Sequence, residues 1–242
     1  MKRIALIIAL LLPLALHAKS DSTAAAIVDR YLSLLNADAL PHDSMLVITT
    51  TVTSPGSTDT FTMKRLYAWP QMFRVDVFDA GGKRLTGLCG NGTTRHRSYD
   101  TLRGWWRELT KETFYYKMLS FDFRGPLYNW RSQGVDLEYQ GKTTVKGEQL
   151  DVVKVSGPTV YTRMYMFQDN GMLALIIESD KVEADDAPYS DTHIEWKCIH
   201  EYQHIGETLL PSLESFARDN RLTVLQSEAH LEALETLQFN QD

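Results

Sequence analysis

The sequence lacks the short motifs that carry the commonest enzyme chemistries. It has no Gly-x-Ser-x-Gly nucleophile turn, no glycine-rich phosphate loop ending in lysine and no Cys-x-x-Cys pair. Hydrolase-elbow, nucleotide-binding and dithiol-redox readings therefore have no starting point. Basic clusters are also missing. The formal charge is −6, which repels phosphate backbones and argues against a nucleic-acid partner. The densest basic run, Arg95-His96-Arg97, is short and reads as a solvated strand face. No internal repeat or low-complexity linker divides the chain. Only two cysteines occur, Cys89 and Cys198. In an oxidising compartment they could close a loop of about 100 residues, worth ~4 to 5 kcal/mol in the chain-entropy model. Both also sit in apolar, strand-like runs that suit two buried thiols.

No apolar run reaches the length of a membrane span. The longest, Ile4 to Leu16, covers roughly 13 residues against the ~20 that a spanning helix needs, and Pro13 interrupts it. It follows Lys2 and Arg3 and precedes Ala18 and the polar run Lys19-Ser20-Asp21. That is the charged, apolar, small-residue order of a secretory leader. Residues 1–18 are read as a cleaved signal peptide and 19–242 as a single domain. No cysteine near the cut could take a lipid anchor, so the mature protein is expected to be released.

After the leader, Ile27, Tyr31, Leu34 and Leu35 recur at helical spacing until Pro41, which predicts one amphipathic helix. Then the period changes to two. Residues 45–53 and 58–69 flank Pro55-Gly56 as a hairpin, and strand-like runs follow at 72–78, 83–89 and 93–99. The stretch 102–139 breaks this rhythm with Trp105-Trp106, the run Phe114-Tyr115-Tyr116 and a predicted short helix over 126–132. Strands resume at 150–155, 160–167 and 172–178, then 193–205, 212–218 and 222–228, with an acidic loop over 183–186. The order predicts an α+β fold built on an antiparallel sheet.

Several segments resemble the periplasmic lipoprotein carriers and outer-membrane lipoprotein-sorting proteins, the LolA-like fold. The most specific is Trp69-Pro70-Gln71-Met72-Phe73-Arg74-Val75, similar to that family's proline-centred strand start. Gly90-Asn91-Gly92-Thr93 stands where relatives carry an Asp-Gly-Lys type of turn. Residues 165–177 with Asn170-Gly171, and 200–211, are similar too. Carriers commonly place an arginine before that proline, where it helps hold the cavity closed; here the position is Trp69. The resemblance implies a curved, incomplete antiparallel β-barrel (half-barrel) wrapped around a few helices. It implies a periplasmic location and an apolar cavity for lipid or lipoprotein acyl chains, with no cofactor. A membrane-bound donor or acceptor protein is the implied partner.

Physics alone supports such a pocket. Each methylene removed from water contributes about 0.8 kcal/mol, so a 16-carbon chain offers ~10 kcal/mol or more before ordering costs. The residues expected to line the cavity are Leu46, Ile48, Phe61, Met63, Phe73, Val75, Val153, Met164, Met166, Leu175 and Trp196. Methionines suit a surface that repacks around variable ligands. Trp69, Trp105 and Trp106 are candidates for a mouth or lid; the Trp105-Trp106 and Phe114-Tyr115-Tyr116 cluster could equally be a loop packed on the sheet edge. The same fold could instead serve as a sensor or interaction module that regulates an envelope partner.

One literal motif points elsewhere. His200-Glu201-Tyr202-Gln203-His204 matches the His-Glu-x-x-His pattern of zinc peptidases. On a helix, both imidazoles would share a face and bind zinc beside Glu201 as general base, with Glu228 as a further ligand. In a strand, the two histidines would lie roughly 13 Å apart, too far for one metal. The alternation of Ile194, Trp196, Cys198, His200 and Tyr202 favours the strand, so neither an enzyme nor a metal site is expected.

Overall fold

The structure, a computed structural model, describes residues 20–68, 71–119, 121–157, 160–178, 196–218, 221–234 and 239. The leader, Trp69 and the acidic loop lie outside these residues. Helix α1, Ser22–Leu35, starts where the Asp21 side chain accepts a hydrogen bond from Thr23 N at 2.7 Å, and it ends at Asn36 in the left-handed region. Both are ordinary ways to satisfy helix termini. Ala24, Val28, Tyr31 and Leu35 form its buried stripe.

Among the described residues, thirteen strands make one antiparallel sheet: β1 Ser44–Thr53, β2 Thr60–Ala68, β3 Met72–Phe78, β4 Arg84–Asn91, β5 His96–Asp100, β6 Trp105–Glu108, β7 Asp136–Val145, β8 Glu148–Gly157, β9 Val160–Gln168, β10 Leu173–Glu178, β11 Trp196–Ile205, β12 Thr208–Arg218 and β13 Arg221–Ala233. The strand order is β6-β5-β4-β3-β2-β1-β13-β12-β11-β10-β9-β8-β7. Two meanders therefore meet where the first strand pairs with the last, Ser44 opposite Ala233 through Thr53 opposite Val224. The sheet stays open, with β6 and β7 at its two edges. Within each meander, strands consecutive in the chain are neighbours in the sheet. Only the connection from β6 to β7 must travel from one outer edge to the other, and it does so across a face of the sheet, carrying helix α2, Lys111–Leu119.

Two features in this crossover differ from the sequence reading. The aromatic run at 114–116 is helical. The helix expected over 126–132 is a chain of turns, closed by three-residue bonds such as Tyr128 N to Gly125 O and Trp130 N to Leu127 O. Gly125 at φ 63° and Asn129 at φ 57° explain this, because left-handed residues interrupt a right-handed helix. Strand β7 also extends the sheet into the stretch that had shown no clear period.

The two cysteines are free thiols. Cys89 on β4 and Cys198 on β11 are six strands apart in the sheet order. That is roughly 29 Å along the sheet, well beyond the ~7 Å Cα separation a disulfide tolerates.

Candidate functional site: the covered apolar face

Side chains of one sheet face meet α1 and the crossover. Beneath α1 lie Leu137, Val153, Val155, Tyr165, Phe167, Leu173 and Ile176, packed against Val28, Tyr31, Leu35 and Trp130. Tyr31 meets the Phe167 ring edge-on at 5.6 Å. Beneath the crossover lies a second apolar floor of Leu46, Ile48, Tyr67, Phe73, Val75, Leu88 and Leu210, capped by Phe114, Met118 and Phe123.

Two devices seat that cap. Phe114 presses onto β4 at Gly90, where a Cβ would collide with its Cζ. Phe73 and His96 flank the ring at centroid distances of 6.5 and 4.8 Å. The second device is polar. Arg65 Nη1 donates to the carbonyl of Phe121 at 3.2 Å and Nη2 to Thr50 Oγ1 at 2.9 Å. The Tyr67 hydroxyl donates to the same carbonyl at 2.8 Å and accepts from Phe123 N at 3.2 Å. Burial pushes the Tyr67 phenol well above its ordinary range, so it remains a donor. Asp122 and Arg124 pair at 2.7 Å beside this latch, and the Arg124 guanidinium lies 4.3 Å from the Tyr128 ring centroid.

Of the residues read from the sequence as cavity-lining, Leu46, Ile48, Phe73, Val75 and Val153 sit on this face and Met63 packs at its margin. Phe61, in phase with Met63 on β2, is partly buried. Four others are corrected to the opposite face. Met164, Met166 and Leu175 belong to a separate cluster with Leu150 and Val152, and Trp196 pairs with Ile177 of that cluster. In β9 both phases are apolar, so alternation could not choose between Met164-Met166 and Tyr165-Phe167; packing of α1 on the second set decides. Trp106 is likewise corrected. It is buried on the opposite face, with the Arg74 and Arg84 guanidinium carbons 5.5 and 5.4 Å from its ring, whereas Trp105 is exposed at the sheet edge. Trp69 lies outside the described residues.

The sequence reading had Phe114 in a cluster weighed as a mouth, a lid or an edge loop, but missed Met118, Phe123, Leu88, Leu210, Gly90 and the latch. Arg65 had a usable signal: it stands in phase with Phe61, Met63 and Tyr67, a charge on the apolar side of β2. His96 departs from the solvated reading. It is buried, and its Nε2 has no hydrogen-bond partner among the described residues.

The apolar face on which a cavity was expected is covered in its described part. Leu46, Ile48, Phe73, Val75 and Val153 are each at most 1% exposed, covered by the chain itself. A cleft of about 480 Å³ exists elsewhere, between α1 and residues 128–132. Its lining is mixed, with Leu32, Ala37 and Tyr128 beside the Asp29–Arg131 pair at 2.6 Å.

His200 and His204 lie in strand β11, where His200 Nε2 sits 2.7 Å from Ser215 Oγ. No cluster of three metal-ligating side chains occurs among the described residues. Asn91 is a turn residue whose Oδ1 accepts from the backbone N–H groups of Thr93, Thr94 and Arg95.

This open antiparallel sheet bearing helices on one face is similar in fold to solved structures of LolA-like proteins. A LolA superfamily protein from Nitrosomonas europaea superposes with a TM-score of 0.57 at 13% identity, covering 90% of this chain and 98% of that one. A DUF1329 family protein from Desulfovibrio piger gives 0.53 at 12% identity, covering 89% and 96%. A putative outer membrane lipoprotein-sorting protein domain from Vibrio parahaemolyticus gives 0.52 at 8% identity, covering 88% and 97%. No family model matches the sequence, and no curated protein does.

Proposed function

We propose that the protein is a periplasmic binding protein or chaperone that shields lipid or lipoprotein acyl chains on its helix-bearing face without catalysing a reaction, and that the structure captures its closed state. The observation that carries this reading is that a chain crossover, rather than a permanent core helix, covers the second apolar floor.

Helix placement supports it. Helix α1 starts beside β7, where Asp21 N donates to Leu137 O, and ends beside β12, where Thr208 Oγ1 donates to Asn36 O. Lying across the strands between them, it suits the helix of an open half-barrel. Energetics supports it too. Displacing Phe114, Met118 and Phe123 costs about 1.5–3 kcal/mol each, roughly 5–9 kcal/mol together, and a long acyl chain offers ~10 kcal/mol or more. A guest that takes the place of the cap can offset its removal, while a short one cannot. The leader and the relatives' sorting role suit a periplasmic carrier with a membrane-bound donor or acceptor.

The covered face also favours a second reading, in which the fold senses an envelope protein and the crossover responds to it. Lipid extraction after bacterial expression, combined with titration of a fluorescent long-chain fatty acid, tests the first reading. Recovered lipid and displaceable probe binding are expected. A protein that is always empty and ignores the probe, yet captures an envelope protein, would replace the first reading with the second.

A further inference from the structure

The hairpin turn joining β5 and β6 presents an apolar tip that nothing in the described residues covers. Leu102 is 99% exposed and Trp105 is 55% exposed. A single exposed leucine means little, but this one is held out by a built turn. Asp100 Oδ1 accepts from the N–H groups of Leu102 and Arg103, each at 3.1 Å. Gly104 N–H donates to Asp100 O at 2.8 Å, with Gly104 at φ 73°. The Thr101 hydroxyl donates to the carbonyl of Leu85. The adjacent tryptophans point opposite ways. Trp106 is buried against Arg74, Arg84 and the space left by Gly87, where a Cβ would approach to 2.7 Å. Strand alternation then turns Trp105 outward on the helix-bearing side of the edge.

Charge at the tip runs against the molecule as a whole. The chain is acidic, at −6, yet Arg103 and Arg107 are exposed beside Leu102 and Trp105. The nearest carboxylates are engaged: Asp100 holds the turn, and Glu108 pairs with Arg97 at 2.8 Å. A leucine that can enter acyl chains, an indole suited to the headgroup boundary and two guanidinium groups for phosphates make a membrane-interface element. From this arrangement we infer that the β5–β6 tip docks the protein on an anionic phospholipid bilayer. Four residues of β6, roughly 10 Å, then separate the bilayer contact from the approach to α2.

The inference goes beyond the proposed function and is tested apart from it. The secreted chain is sedimented with vesicles of phosphatidylethanolamine and phosphatidylglycerol, and with vesicles of phosphatidylcholine alone. Binding to the anionic vesicles is expected, weakening with salt. Leu102→Asp should lower partitioning about tenfold or more, the factor that burying one leucine supplies. Arg103→Glu should reduce anionic binding and its salt dependence. All three positions are exposed, so folding is not at stake, and uptake of a soluble fatty-acid probe without vesicles should be unchanged. Vesicle binding that ignores Leu102→Asp and Trp105→Ser would overturn the inference, as would sedimentation only with vesicles carrying envelope proteins. A chain that takes the probe but not vesicles sinks this inference alone; one that takes vesicles but not the probe sinks the proposed function alone.

Discussion

Gly90 and Phe114 make a matched pair in which a missing side chain on β4 is the seat for a ring on α2. Gly90→Ala should therefore unseat the cap rather than the sheet. The expected result is faster amide exchange across residues 111–119 with β1–β3 still protected, and a stability loss of about 1.5–3 kcal/mol, the value of one exposed phenylalanine. Beside the same ring, His96 is held below the usual imidazole range, first by burial and then by Lys111 of α2, while Glu108 and Glu112 pull the other way. Phe114 and Tyr115 pack on it. The unfolded chain takes up this proton at higher pH than the folded one. The contribution to stability is thus complete above about pH 6.5 and fades as pH falls toward the depressed folded value. Corrected exchange rates in α2 should rise between about pH 7 and pH 5.5, and His96→Phe should flatten that rise; an unchanged profile in the variant would remove His96 from the explanation.

Helix α2 has nine residues, too few to persist alone in water. Its order comes from docking, so it should come and go with the neighbouring turns. Arg65 is the polar tie in that docking, linking β2 to Phe121 O and to the Thr50–Ser227 hydroxyl pair at 2.9 Å. Arg65→Met keeps the stem that packs on the face but removes both bonds, an expected loss of about 1–3 kcal/mol. If the crossover is the gate, fatty-acid probe uptake should be faster in this variant at similar final affinity. Slower uptake, or none, would mean that the crossover is a fixed part of the core. Strand β9 teaches the complementary lesson. Its two apolar phases were indistinguishable by pattern, and the contact between Tyr31 and Phe167 chose one.

At the scale of the molecule, β1 pairs with β13, so β1 has no stable neighbour on that side until β13 has been made. Such distant pairing slows folding. Phe239 then covers the opposite face, fully buried among Met45, Val47, Leu66, Cys89 and Trp106, and its carbonyl accepts the Cys89 thiol at 2.8 Å. Burial pushes that thiol up to about 11. A thiol reagent should modify Cys198 in the native protein and reach Cys89 only after unfolding. Phe239→Ala should cost about 3–5 kcal/mol and make Cys89 reactive under native conditions; a silent Cys89 in that variant would show that the tail is not its cover.

Local periodicity on its own determined the first helix, most strands and the face carrying Leu46, Ile48, Phe73 and Val75. These features depend on neighbours a few residues apart, where alternation and turn chemistry act directly. Tertiary structure alone decided that α2 and residues 121–123 lie over that face, that Met164, Met166 and Leu175 turn away from it, and that His96 is buried. Each of these depends on which distant segment arrives to cover a surface, and on a glycine or arginine whose partner lies many residues off in the chain. Spacing along a sequence carries no record of that choice.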